Sequence, residues 1–195
     1  MSSNVNDSNI ERQVKQWLAQ IVIGERFCPF AKQPYEESSV RYHIVGGAPS
    51  NESLEQNLIW ALSELSEEAT RLSQDSLIET TLIIFPDCFH EFDDFLMLID
   101  YSDEFIEQAG FSGIYQVAHF HPDYCFAGTS PDAAENFTNR SPYPILHLLR
   151  EASLSQALSD LSAPENIPQR NIAHANKKGA PYWRARLQAI FDALD

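Results

Sequence analysis

The segment Thr80–Phe85 reads TTLIIF, a continuous apolar run rich in β-branched residues that Pro86 ends. A short run without alternating polar residues is typical of a strand that is buried on both faces of a sheet. Two further runs, 40–45 and 114–119, have the composition of strands, and Gly46 and Gly47 close the first of them. The sequence therefore predicts three strands, of which the middle one is buried on both faces.

Two stretches with helical spacing connect these strands. Over 52–72 the apolar residues recur every three or four positions, and Ser50 or Asn51 is the predicted N-cap. The same spacing recurs over 91–109, where Gly110 ends the pattern. Strands joined by helical crossovers are expected to be parallel, with right-handed connections. This predicts an α/β fold with a small, mainly parallel β-α-β-α-β sheet and packed helices.

Further helices are predicted on either side of this unit. One covers 10–23, with Asn9 as N-cap, and the polar residues 1–9 before it are predicted to be disordered. After a loop over 121–142, the helical C-terminal region comprises helices near 143–160, 169–178 and 181–194, the last with its apolar residues on one face (Trp183, Leu187, Ile190 and Leu194). The length of 195 residues and the lack of a linker predict one domain over 1–195.

The net charge restricts the partners. With 13 Lys and Arg against 28 Asp and Glu, the formal charge is −15, which disfavours nucleic acid and anionic membrane surfaces. No apolar run is long enough to span a membrane, and no secretory signal is evident. Three cysteines without zinc-finger spacing fit a reducing compartment, so a cytoplasmic location is predicted. The sequence identifies neither a cofactor nor an oligomeric state.

The loop after the third strand carries polar residues with catalytic potential. It contains His119, His121, Asp123 and Tyr124, and ligands of open α/β sheets bind at the carboxyl ends of the strands. His119 and His121 are two positions apart, so on an extended backbone both point to one side and could bind a metal. The alternative is one surface histidine and one packed histidine, without a ligand.

The block Asn139-Arg140-Ser141-Pro142-Tyr143 precedes the segment that is predicted to be helical from 143. Asn139 or Ser141 could cap that helix, and its free N–H groups beside Arg140 would bind a carboxylate or phosphate. The alternative is an ion pair between Arg140 and an acidic side chain.

Cys28 lies in the loop that follows Gly24, with Arg26 and Lys32 nearby. It could be a nucleophile or a soft metal ligand if a neighbouring base or cation lowers its pKa. The alternative is a small buried hydrophobic residue.

Four motifs together resemble a known family. ERFCPFAK, TTLIIFP, FHPDYCFAG and TNRSPYPILHLLRE resemble the bacterial family known as domain of unknown function 1415, over about Val14 to Lys178. The resemblance implies a small cytoplasmic bacterial protein without an established reaction, and it assigns no role to the shared residues. These include His147, Arg150 and Glu151 in the last motif. In the family pattern His121 is more characteristic than His119, which weakens the two-histidine metal site.

The leading hypothesis is a small enzyme with one pocket at the carboxyl edge of the sheet. The catalytic residues would be His121, as acid or base, and Cys28, as nucleophile or metal ligand, and the sequence predicts no separate metal site. A small anionic substrate would be bound by the loop and helix-start residues, Tyr124, Asn139, Arg140, Ser141 and Tyr143. One alternative is a non-catalytic binding or assembly protein, in which these residues form a structural polar network. A second is a metal-binding protein that uses Cys28 with His119 and His121.

Overall fold

The computed structural model describes residues 3–46, 53–159 and 163–192. A π-helical segment covers Leu18–Ile23, and 3₁₀ turns occupy Ala134–Thr138 and Pro164–Asn166. The remaining elements, in chain order, are α1 (Ser3–Trp17), α2 (Lys32–Glu36), β1 (Val40–Ile44), α3 (Leu54–Gln74), β2 (Thr80–Ile84), α4 (Phe92–Gln108), β3 (Tyr115–Phe120), β4 (Ile145–Arg150), α5 (Glu151–Ser159), α6 (Ile167–Lys178) and α7 (Ala180–Asp192).

The described residues form a four-stranded sheet in the order β1-β2-β4-β3. β1 is parallel to β2, with Tyr42 opposite Leu82. β4 is antiparallel to both of its neighbours, with His147 opposite Leu82 on one side and Ala118 on the other. The prediction of a mainly parallel sheet is therefore wrong. β1, β2 and β3 do run in one direction, but β4 enters between β2 and β3 and makes two of the three pairings antiparallel.

The predicted helix near 143–160 is wrong in its first part, because residues 145–150 form strand β4 and the helix α5 begins at Glu151. The segment ILHLLR is covered on both faces, so it lacks the polar alternation that usually marks a strand. Its leucines also fit helical spacing. The choice between helix and strand is decided only by pairing with both neighbouring strands. The helices that were predicted at 169–178 and 181–194 are present as α6 and α7.

Two helices, α1 and α3, begin at other residues than predicted. α1 begins at Ser3, so residues 3–9 are helical where fraying was predicted, and Asn9 lies inside the helix, where it accepts a hydrogen bond from Arg12. Helix α3 is capped by Ser53, whose hydroxyl accepts from the backbone of Gln56 in a capping box. The predicted caps Ser50 and Asn51, and Gly47 and Leu194, lie outside the described residues.

Each face of the sheet has its own apolar core. Helices α3 and α4 cover one face, which carries Ile83, Leu146 and Leu148. Helices α1, α6 and α7 cover part of the other face, which carries Leu82 and Ile145. We call these the α3–α4 face and the α1 face. None of the helices formed by the described residues is long and apolar enough to cross a membrane.

Candidate functional site

His121 uses both ring nitrogens to hold the fold. Its Nε2–H donates to the carbonyl oxygen of Phe89 at 2.9 Å, and its Nδ1 accepts the backbone N–H of Asp123 at 3.0 Å. The ring is fully buried between Phe92 and Phe95 on the α3–α4 face, and this burial lowers its pKa. The imidazole is therefore neutral, and neither nitrogen is free to act on a substrate.

The hydrogen bond to the Phe89 carbonyl gives His121 a structural role. Phe89 is buried and has φ of 57°, a left-handed conformation that bulky residues rarely adopt. Such a conformation persists only where surrounding contacts hold it. His121 supplies one of them through the Phe89 carbonyl, so its role in the structure is to fix the turn between β2 and α4.

Arg140 also binds backbone rather than marking the start of a helix. Its guanidinium donates to the carbonyl oxygens of Tyr124 at 3.2 Å and Pro131 at 2.8 Å, and it lies 4.5 Å from the ring centre of Phe137. The capped helix that motivated an anion site is not present, because the chain enters β4 at Ile145.

The other predicted binding residues contact β3, their own loop or α1. Asn139 donates its amide to the carbonyl of His119 at 3.3 Å, and Ser141 donates its hydroxyl to the carbonyl of Tyr143. The Tyr143 hydroxyl donates to the side chain of Gln13 on α1. The Tyr124 ring stacks on His119, with ring centres 5.5 Å apart. Among residues 3–46, 53–159 and 163–192, no three His, Cys, Asp or Glu side chains are placed to hold a metal ion.

Cys28 is not part of this group. It packs against the core of the α1 face, whereas His121 lies on the α3–α4 face. The turn before Cys28 is anchored to α6, because Asn171 donates to the carbonyl of Phe27 at 2.7 Å and Arg170 donates to that of Arg26 at 2.6 Å. The structure thus brings His121, Tyr124, Asn139 and Arg140 together and separates them from Cys28.

Cys28 instead lines a cavity of about 610 Å³ on the α1 face of the sheet. Its floor is formed by strand residues that share this face, namely Val40, Thr80, Leu82, Ala118, Phe120, His147 and Leu149. One wall comprises Cys28 and the following residues up to Glu37, and helix α5 forms another. The cavity extends towards the amino ends of β1 and β2, whereas the sequence predicted a site at the carboxyl edge.

His147 is the polar centre of the floor, and its hydrogen bonds define its tautomer. Thr80 donates its single hydroxyl hydrogen to the carbonyl of Leu148 at 2.6 Å, so the 2.7 Å contact between Thr80 Oγ1 and His147 Nε2 requires a hydrogen on Nε2. Burial lowers the pKa of His147 to about 4. His147 is therefore neutral at pH 7, and its Nδ1 accepts no hydrogen bond from the described part of the chain.

Other polar groups that line the cavity include a thiol, a guanidinium and two carboxylates. Burial raises the pKa of the Cys28 thiol, although backbone hydrogen bonds from Phe30 and Ala31 act against this shift. Arg150 donates from Nη2 to the carbonyl oxygen of Leu72 in α3 at 2.6 Å, and from both Nε and Nη2 to that of Ile78 between α3 and β2. The carboxylates of Glu37 and Glu79 also line the cavity.

Among the residues that line this cavity, Cys28 is a predicted site residue and His147 is not. His147 was placed on a helix, where it would have no fixed relation to Cys28. Reading 145–150 with period two puts His147 on one face with Ile145 and Leu149, and this was the available signal.

The Thr80 hydroxyl can be tested by an isosteric change. We expect Thr80→Val to lower the free energy of unfolding by about 1–3 kcal/mol, because it leaves the buried Leu148 carbonyl without this partner. Thr81, the matched control, is also buried on the same strand, but its hydroxyl has no hydrogen-bond partner among the described residues. Thr81→Val should therefore leave stability unchanged or raise it. Urea unfolding measures both, and equal losses in the two variants would contradict the assignment.

Comparison with known proteins confirms the resemblance noted in the sequence. No curated protein and no solved structure matches the chain. One family model matches residues 9–185 of the 195 residues, and this range includes Cys28, His121, Arg140 and His147. The chain therefore belongs to the family that is described as Protein of unknown function (DUF1415).

Proposed function

We propose that this protein binds a small, largely apolar molecule in the cavity on the α1 face. The observation that carries the proposal is the composition of the cavity floor, which is apolar except for Thr80 and His147. Binding sites for small molecules are typically concave and apolar, with a few placed polar groups and volumes of about 300–1,000 Å³. The volume and the lining of this cavity fit that description.

The structure around the cavity indicates a binding site and not a defect in the packing of the core. Protein interiors are close-packed, and voids much larger than a water molecule are few. The floor belongs to well-packed strands, since Leu82 is almost fully buried. Helix α5 contributes no fully buried residue, yet its residues from Ala152 to Ala157 line the cavity. The helix thus encloses space rather than filling the core.

The proposal is binding rather than thiolate catalysis. A catalytic pair of Cys28 and His121 would require both side chains on one face of the sheet, and they lie on opposite faces. Cys28 shares the cavity with His147, which is neutral at pH 7, and burial raises the pKa of the Cys28 thiol. A thiol with a raised pKa keeps its proton at pH 7 and is a weak nucleophile.

A cavity-filling variant tests the proposal with naphthylmethanol as a fluorescent probe. Ala118 lies on the floor beside His147, so we expect Ala118→Phe to weaken probe binding at least tenfold. The matched control is Gln116→Phe, two residues away on the same strand and outside the cavity, which should bind like the wild type. Ala157→Phe fills the cavity from α5 if the strand variant is unstable. Equal affinity in wild type and both filling variants would contradict the proposal.

The thiols provide an independent readout in the same samples. Bound naphthylmethanol should slow the alkylation of Cys28 by iodoacetamide, because Cys28 lines the cavity. Cys125 is the internal control, since it lies in another loop, within hydrogen-bonding distance of Thr129. Its alkylation rate should not change. Peptide mapping measures both rates, and equal protection of the two cysteines would show that the probe acts elsewhere.

A further inference from the structure

Several polar atoms that line the cavity are acceptors. His147 Nδ1 accepts no hydrogen bond from the described residues, and the carboxylates of Glu37 and Glu79 can only accept. Two of the donors in the lining are used within the protein, because Thr80 donates its hydroxyl to the Leu148 carbonyl, and Arg150 donates Nε and Nη2 to the Ile78 carbonyl. We infer that the ligand carries a hydrogen-bond-donating head group, a hydroxyl or an amine, that binds His147 Nδ1. This inference rests on the proposed function and names the ligand class of that cavity.

The position of His147 makes this acceptor selective. It lies in one row of the sheet between Leu82 and Ala118, so apolar side chains flank it on both sides. A ligand that covers this row without a donor would leave Nδ1 buried and unpaired, which costs free energy. A carboxylate has no hydrogen to donate, and it would also approach Glu79 at the cavity edge.

The charges of the cavity also favour a donor over an anion. Its charged lining residues are Glu37, Glu79 and Arg150, so two carboxylates oppose one guanidinium. The whole chain adds a formal charge of −15, which repels anions in general. An amine or a neutral hydroxyl meets no such repulsion.

Four probes that share one apolar body separate the head groups. They are naphthylmethanol, its methyl ether, naphthylmethylamine and naphthoate, all substituted at the same ring position. The ether has the same oxygen as the alcohol but no hydrogen to donate. We expect the alcohol and the amine to bind the wild type about tenfold more tightly than the ether and the naphthoate. In His147→Leu the affinity ratio of alcohol to ether should fall to about one, whereas Thr81→Val, on the other face, should preserve it.

The outcomes distinguish this inference from the proposed function. If naphthoate binds most tightly and Ala118→Phe abolishes its binding, the cavity is a binding site but its ligand is an anion, and the inference is overturned. An unchanged ratio of alcohol to ether in His147→Leu overturns it as well. If none of the four probes is sensitive to Ala118→Phe, the proposed function itself fails.

Discussion

Replacing Trp17 by alanine is expected to lower the free energy of unfolding by about 3–5 kcal/mol, the range for removing a large buried aromatic side chain. The indole is 1% exposed and packs edge-on against Phe120 with ring centres 5.0 Å apart. Its Nε1–H donates to the carbonyl of Arg140 at 2.9 Å. The substitution therefore opens a cavity in the core of the α1 face and removes the bond between α1 and the segment before β4.

Two variants separate these contributions. Trp17→Phe keeps most of the apolar contact but loses the bond to Arg140, so it should cost about 1 kcal/mol from the hydrogen bond and a further amount from the smaller ring. Trp60→Ala is the matched control, because Trp60 is only partly buried against the other core. Urea unfolding followed by circular dichroism measures all three. A loss in Trp17→Ala no greater than in Trp60→Ala would contradict this account of the core.

Mild acid is expected to lower the free energy of unfolding between pH 6.5 and about pH 4. The pKa of His147 is lowered from 6.5 to about 4 in the folded protein, so the unfolded chain binds more protons than the folded one in this range. The contribution of neutral His147 is complete above pH 6.5 and is lost as the pH falls through about 4. The shift corresponds to about 3 kcal/mol. His119 and His121 have pKa values lowered in the same direction and add to the effect.

Between pH 6.5 and 4.5, the effect of the histidines on stability can be measured apart from that of the carboxyl groups. The carboxyl groups of Glu25 and Glu68 have pKa values lowered from 4.5, so their contributions are lost only below about pH 4.5. We expect His147→Leu to reduce the slope of stability against pH between 6.5 and 4.5. Urea titrations at several pH values test this, and identical slopes in wild type and His147→Leu would show that His147 is protonated normally.

The part of the fold that sequence predicts well is the part with distinct local patterns. TTLIIF at 80–85 has β-branched residues and a closing proline, and the helix near 91–109 has an apolar stripe and a terminal glycine. β4 lacks such a pattern, because a strand buried on both faces and a leucine-rich helix have similar sequences. The predicted sheet is mainly parallel because it lacks β4, which supplies both antiparallel pairings.

The candidate site could be predicted only in part, because it depends on contacts that are distant in the chain. Cys28 was singled out correctly as a residue in a loop, but the cavity it lines is completed by His147 and α5, more than a hundred residues later. The sequence predicts a binding site in the polar block around Arg140, because its side chains are typical of one. In the folded chain Asn139 binds a backbone carbonyl of β3 and Arg140 one of its own loop, and no local pattern distinguishes a binding role from this structural one.

The location of a bound probe tests the central claim, that the cavity of Cys28 and His147 binds a ligand, most directly. Nuclear Overhauser contacts between naphthylmethanol and the methyl groups of the wild-type protein provide that location. We predict contacts from the naphthyl protons to Leu82, Ala118 and Leu149 on the cavity floor. Contacts confined to methyl groups elsewhere, such as those of the exposed Leu96 and Met97 on α4, would contradict the claim.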